Sequence, residues 1–438
     1  MLQRVWVNIW TIVLLLLIVT AQGTWGAKVV LMAWSDPARW QGLVNGFLAD
    51  NPDWPHEVEV QVTANSGAPY REKLLAMLAG GTGPDIWLVD PSWLEFDEWA
   101  RTGIVVEELD PYIKRDGVSL DTMWPVFKDI GGANGKLHAL PLHVIPQTMY
   151  YNRTYIEELG VADPAAQYLA GTWTFANLVT AAKASTIDKN GDGQFDHWGV
   201  ESGLMSTWQL WSYVWTSGGD FFDLATGKST ADAPGTIRGI EFVYDLIHTH
   251  KVATVPGVTG SVQGFVQGLF TFMQNWGSAP GSFVRNTYGI MEFDWAVVPP
   301  PKADATAKHY TPTTVGLWVM NKESKVKDAA WDLLKWLGSA KGNEAWLRAT
   351  YFHGIAHPAI FQSKYFRDLI SQPGWDKNLA TIYYDLYMHH ARWRPSYRKM
   401  ADWERLSDQY IVMLRNGQMA VRTAMEELTR LTDALMAE

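Results

Sequence analysis

The chain contains no cysteine. Disulfide frameworks, thiolate metal sites and cysteine nucleophiles are therefore excluded, and so is a lipid-modified cysteine behind an export signal. Positive charge is also scarce: 36 Lys and Arg stand against 46 Asp and Glu, and no long basic run occurs. Nucleic acid and polyanionic surfaces demand clustered Lys and Arg, so neither is the expected partner. The nucleophile elbow, the two-histidine zinc helix and the phosphate loop ending in Gly-Lys-Ser/Thr are missing too. Neither an internal repeat nor a low-complexity segment is found. Adjacent acids such as Glu107-Glu108, Glu157-Glu158 and Glu426-Glu427 read as solvated charge.

What is present is aromatic. The 438 residues include 24 Trp, 17 Tyr and 16 Phe. Core packing accounts for most such rings. An indole also stacks on the C–H face of a sugar ring, so a surplus of Trp suits a carbohydrate cleft. Apolar residues make up 47% and charged residues 19%, the balance of a folded chain long enough for two cores. A formal net charge of −10 suits a neutral or weakly charged ligand.

The amino terminus reads as an address. Arg4 precedes an apolar run over 9–19 (IWTIVLLLLIV), followed by TAQGTWGA. Positive, then apolar, then small is the order of a secretory signal, and the run is short for a membrane span. The expectation is a cleavable signal peptide over 1–26, cut after Ala21 or Gly26, and a periplasmic protein without a lipid anchor; an uncleaved anchor is the competing reading.

Behind it, 29–33 (VVLMA) and 58–62 (VEVQV) predict strands, and 39–49 and 71–79 predict helices. Residues 84–89 (PDIWLV) form a further buried strand. Such alternation indicates an α/β layer with a mainly parallel sheet, whose ligands bind at the carboxyl ends of the strands. Trp34, Asp36, Asp90 and Trp93 fall at those ends. Helices are predicted over 174–185 behind an N-cap Thr174, over 206–216, over 327–337 and over 421–435. A strand is predicted over 313–320, and Val298 to Pro301 reads as a surface connection.

A series of short fragments then appears in order. They include Tyr70-Arg71-Glu72-Lys73-Leu74, the stretch 79–86 (AGGTGPDI), 135–141 (GKLHALP) and Tyr150-Tyr151-Asn152-Arg153. Thr172-Trp173-Thr174, Ser217-Gly218-Gly219-Asp220, Phe265-Val266-Gln267-Gly268 and 294–299 (DWAVVP) follow. In order and spacing they resemble the extracellular solute-binding proteins of ATP-driven sugar importers, the maltodextrin-binding group. That resemblance implies two α/β lobes joined by three crossings, closing on a ligand by hinge motion. It places crossings near 143–146, 314–317 and 362–366. One lobe then combines 27–142 with 318–361, the other 147–313 with 367–438. It further implies a monomer that captures a sugar or oligosaccharide, hands it to membrane permease subunits, and requires no cofactor.

The site residues expected on this basis are Trp34, Asp36, Tyr70, Asp90 and Trp93 from the first lobe, and His143 at a crossing. From the second lobe come Trp208, Trp211, Trp276, Arg392, Trp393 and Arg394. His143 reads equally as a satisfied buried histidine, and Trp208 and Trp211, three apart on one helix, equally as core. Trp331, Trp336 and Trp346, on amphipathic helices, read as core or surface. Arg392 and Arg394 together could clamp a carboxylate or phosphate, so a uronate or glycerol phosphate is an alternative ligand. The rival class is a secreted glycosidase, with Asp36 and Asp90 as its carboxylate pair.

A separate loop carries Asp188, Asn190, Asp192, Gln194 and Asp196, with Gly193 at the sixth position. This matches the opening of a calcium loop, but the twelfth position is Gly199 where a bidentate Glu is wanted. Structural calcium and a metal-free polar turn are both open readings.

Overall fold

The structure is a computed structural model that describes residues 26–92, 94–223, 225–254, 261–394 and 399–437. The signal segment and Trp93 lie outside the described residues.

The first strand, β1 (Lys28–Trp34), leads into α1 (Pro37–Asp50) through a sharp turn. Asp36 caps α1 by accepting from the Ala38 amide at 2.9 Å, and Pro37 occupies the first turn, where a missing N–H does no harm. Trp40, Leu43, Val44 and Phe47 form the buried stripe of α1 at helical spacing. After β2 (Glu57–Thr63) and α2 (Ala68–Ala79), the four residues of β3 (Ile86–Val89) are wholly buried. The long strand β4 (Ala139–Asn152) is buried at all fourteen positions.

The second half contributes α3 (Phe175–Ser185), β5 (Trp198–Val200), α4 (Thr207–Thr216), α5 (Pro234–His248), β6 (Phe270–Trp276), α6 (Pro280–Val284) and β7 (Trp295–Val298). A reciprocal cap opens α3, with the Thr174 amide donating to Asn177 Oδ1 at 3.0 Å. The chain returns through β8 (Thr311–Met320) to α7 (Lys327–Leu337) and α8 (Ala340–Thr350). It ends with β9 (Ala391–Arg392), α9 (Met400–Arg415) and α10 (Val421–Ala437).

One sheet runs through the molecule in the order β2-β1-β3-β8-β4-β6-β5, with β7 also on β4 and β9 also on β8. The β1–β2, β1–β3 and β5–β6 pairs are parallel. Around the two long strands, pairing is antiparallel except where the short β9 runs parallel to the start of β8. The reason is connectivity, since β4 and β8 carry the chain out of one half and back into it. Residues of β4 up to Pro146 pair with β8, whereas Gln147 onward pair with β6 and β7. The result is a two-lobed α/β architecture with helices against both parts of the sheet.

One local expectation is corrected. Pro299, Pro300 and Pro301 are buried and do not form a surface connection. The Pro299 carbonyl accepts from the buried Trp173 indole at 2.9 Å, which fixes the segment under the second lobe.

Candidate functional site

Asp90 stands just past the end of β3. Its Oδ1 accepts from the Ser92 amide at 2.9 Å and from the Ser92 hydroxyl at 2.6 Å, and its Oδ2 accepts from Thr314 of β8 at 3.2 Å. Burial pushes the Asp90 carboxyl above the usual aspartate range, and the nearby Arg394 charge pulls the other way. Arg394 stands two residues beyond β9 and is 2% exposed. Its guanidinium lies 3.5 Å over the Trp208 ring and pairs with Glu404 of α9. Trp208 meets Trp276, at the end of β6, edge to face at 5.2 Å. Trp276 is held by its own carbonyl, which accepts from the Tyr150 hydroxyl at 2.9 Å.

These contacts join both lobes around β8. Asp90, Trp208, Trp276 and Arg394, all expected from the sequence, are brought together. Two further members were missed: Thr314 and Glu404. A hydroxyl within the crossing strand was a signal for Thr314 of the same kind that singled out His143. Nothing marks Glu404 among the acids of its helix. Arg394 Nη2 is buried with no hydrogen-bond acceptor among the described residues. A buried donor left unmade costs about 1–3 kcal/mol, so the arrangement favours a ligand that brings an oxygen to it.

Other expected residues are placed differently. Trp34 is half-buried, its ring edge on Tyr70 at 4.9 Å. Tyr70 itself is fully buried and donates to the Leu88 carbonyl at 2.8 Å, tying α2 to β3. Its place is the core and not a ligand wall, because its hydroxyl is spent on main chain. Asp36 is exposed and committed to capping α1. Trp211 is likewise core: it is 0% exposed, packed on Trp215 at 4.9 Å and Phe221 at 4.7 Å. Trp208 lies in the first turn of α4, where the helix emerges; Trp211 lies one turn deeper, where every residue from Leu210 to Thr216 is buried.

Arg392 and Arg394 do not form a two-armed clamp. Arg392 pairs with Asp220 at 2.9 Å and lies 4.5 Å over Trp215, away from Trp208. Trp393 is half-buried against the core. Trp331 and Trp346 are buried, and Trp336 is half-buried with its indole on Asp50 at 3.0 Å.

His143 is buried in β4, its ring 5.8 Å from that of Trp346 and tilted 23° to it. Burial holds the imidazole neutral, well below its usual range, with His353 and Arg39 adding to the effect. Its Nδ1 has no hydrogen-bond partner among the described residues.

The 188–196 loop is held by hydrogen bonds from its own amides to its side-chain oxygens. The Asp188 carboxylate accepts from the Gly191 amide at 2.7 Å and the Gly193 amide at 2.9 Å, and Asp196 accepts from the Lys189 amide at 2.7 Å. Asn190 and Asp192 each accept from the amide two residues on. Gly199, at the closing position, packs so tightly on Ala182 that a Cβ would come within 2.4 Å of its carbonyl oxygen. Among the described residues no group of three metal-ligating side chains of the His, Cys, Asp or Glu type converges. In this arrangement the loop carboxylates are engaged by the loop's own amides.

Comparison with known proteins agrees with this architecture. A Brucella abortus protein named provisionally as a binding protein is 25% identical over 274 residues, 61% of each chain. The chain thus spans about three-fifths of that relative's length. An arabinooligosaccharide-binding protein of Halalkalibacterium halodurans is 26% identical over 195 residues, covering 43% of this chain and 38% of the relative. Among solved structures, the sugar-binding protein of Xanthomonas citri superposes with a TM-score of 0.78 at 18% identity, covering 94% of this chain and 98% of its own. A Listeria monocytogenes substrate-binding protein in complex with cycloalternan gives 0.75 at 18% identity, with coverages of 94% and 99%. The profile of the family described as bacterial extracellular solute-binding protein matches residues 34–344, well over half of the chain. With two lobes meeting around β8 and that match along most of its length, this chain belongs to the bacterial extracellular solute-binding proteins.

Proposed function

We propose that the protein captures a sugar or oligosaccharide between its lobes and delivers it to the permease of an ATP-driven importer, without chemical turnover. The observation that carries this reading is the group formed by Asp90, Thr314, Arg394, Trp208 and Trp276. It couples a hydrogen-bonding pair from opposite lobes to half-buried indoles, the equipment for hydroxyls and for the apolar face of a sugar. Arg392 and Arg394 already have carboxylate partners, so this part of the cleft suits a neutral ring. The glycosidase reading loses its acid pair, because Asp36 caps a helix in solvent while Asp90 is buried and bonded to Ser92 and Thr314.

In this reading the lobes comprise 27–142 with 318–361 and 147–313 with 367–438, the crossings lie near 143–146, 314–317 and 362–366, and the protein acts as a monomer. The exchange of partners along β4 after Pro146 supports the first boundary. Export to the periplasm on a cleaved signal follows from the sequence reading and from the extracellular family.

The test is titration calorimetry with a panel of mono-, di- and oligosaccharides, with reducing ends assayed in parallel. Saturable binding with a change in tryptophan fluorescence and no new reducing ends is expected. Turnover, or the failure of every saccharide to bind, defeats the proposal.

A further inference from the structure

A second cluster lies one step along the same sheet face. On β8, Thr314 points to Asp90, and Gly316, two residues on, faces the same way, about 6–7 Å further along the strand. The His143 imidazole covers Gly316 so closely that a Cβ there would come within 2.7 Å of it. His353 meets His143 edge to face at 5.2 Å, and both rings border Trp346. The Nδ1 atoms of both histidines are buried without a hydrogen-bond partner among the described residues.

Two arginines stand over this cluster. Arg39, in the first turn of α1, is half-buried with its guanidinium 5.6 Å over Trp346. Among the described residues it makes no salt bridge and no side-chain hydrogen bond. Asp36, three residues earlier, lies within electrostatic reach of Arg39 but forms no salt bridge with it among the described residues, and one of its oxygens accepts from the Ala38 amide. Arg285 follows α6 in the second lobe, with its guanidinium 5.8 Å over Tyr351 of the first. It donates through Nε to the Gly281 carbonyl, which leaves its terminal nitrogens available. Gly281 makes the approach between lobes feasible, since a Cβ there would sit 2.6 Å from the Tyr351 carbonyl oxygen. Each arginine lies within electrostatic reach of the other, and His353 within reach of both.

The two guanidinium groups thus stand beside two imidazoles that burial keeps neutral, with no salt-bridged carboxylate among the described residues. Like charges held near one another, one half-buried and one exposed, repel unless an anion enters. A planar guanidinium is suited to a carboxylate or phosphate, which it can bind through two parallel hydrogen bonds. We infer that the captured saccharide carries an acidic group, a carboxylate or a phosphate, on which Arg39 of the first lobe and Arg285 of the second close beside His143. The inference rests on the sugar-binding reading and narrows it: Trp208, Trp276, Asp90 and Arg394 hold the ring, and the two unpaired arginines hold the acid.

The test uses the exported chain and saccharide pairs that differ only in the acid. Hexuronate oligosaccharides are titrated against carboxyl-reduced counterparts, and hexose phosphates against free hexoses. The acidic member is expected to bind ~10-fold or more tightly at low salt, the scale of a hydrogen bond between charged groups. Whichever pair shows the gap identifies the acid. Arg39→Gln and Arg285→Gln should each remove most of that gap while leaving the neutral member within about 2-fold. Both side chains are at least partly exposed, so folding should survive, and unchanged melting curves verify it. Neutral members binding as well as acidic ones, or a gap that persists in both variants, overturns the inference and leaves the sugar-binding reading standing. If no saccharide of either kind binds, both fall.

Discussion

Replacing Asp90 with Asn should strengthen the fold and weaken capture. The carboxylate has about four lone-pair sites, and three are occupied by the Ser92 amide, the Ser92 hydroxyl and Thr314. One site is left for a ligand hydroxyl. Asn keeps the shape, but with its oxygen held by the two Ser92 donors the vacant site becomes an N–H. The ligand hydroxyl must then accept a neutral hydrogen bond where it donated a charge-assisted one, at roughly half the strength. A loss of about 1–2 kcal/mol follows, which weakens the dissociation constant ~5–30-fold. Stability moves the opposite way. Burial raises the folded-state pKa of Asp90, so at neutral pH the ionised group opposes folding. Its burden disappears as pH falls through the raised folded value, and below the ordinary aspartate range the acid is neutral in both states. The variant should therefore melt higher than the parent at pH 7, and the two curves should converge on acidification. Calorimetric titration and thermal melts at stepped pH measure both arms. Tighter or unchanged saccharide binding together with a lower melting temperature would refute the assignment.

The two neighbouring tryptophans of α4 should separate cleanly. Trp211→Ala empties a fully buried site and should cost about 3–5 kcal/mol in urea unfolding, with little change in affinity of the folded fraction. Trp208→Ala should cost far less stability and reduce affinity severalfold, because it strips the ring from beneath Arg394. Gly316→Ala should destabilise by about 1–3 kcal/mol through its clash with His143, and His143→Ala in the same chain should restore part of the loss, as a double-mutant cycle will read. Chelator followed by calcium should leave the melting temperature unchanged, since the 188–196 carboxylates are satisfied by loop amides. A calcium-dependent rise would show that the loop rearranges to bind.

Periodicity made much of the architecture legible. The helix expected over 327–337 occupies Lys327–Leu337, and the strand expected over 29–33 lies within Lys28–Trp34. These segments carry their apolar residues at a single period, so the sequence decides their type and their inward face. The three prolines after Val298 misled for a definite reason. Proline usually marks an exposed turn, but here Trp173 reaches the Pro299 carbonyl from the core. The candidate site was legible only where position along an element mattered. Asp90 follows a short buried strand, and Trp276 ends one. Whether an indole faces a cleft or a core depends on how far along a helix neighbouring helices cover it, which separates Trp208 from Trp211. Salt-bridge partners chosen by tertiary contact, such as Glu404 for Arg394 and Asp220 for Arg392, leave no local trace. That is why two arginines flanking one Trp were read as a joint clamp.

Gly281 has a mechanical consequence. Its bare Cα rests against the Tyr351 carbonyl of the opposite lobe, so any larger side chain at this point would act as a doorstop. Such a chain would be propped ajar while its ligand-touching residues remained intact. Under the proposed importer function, it would offer the permease every chemical contact but the wrong shape, and so show whether the transporter's ATPase answers to cargo or to a shut gate.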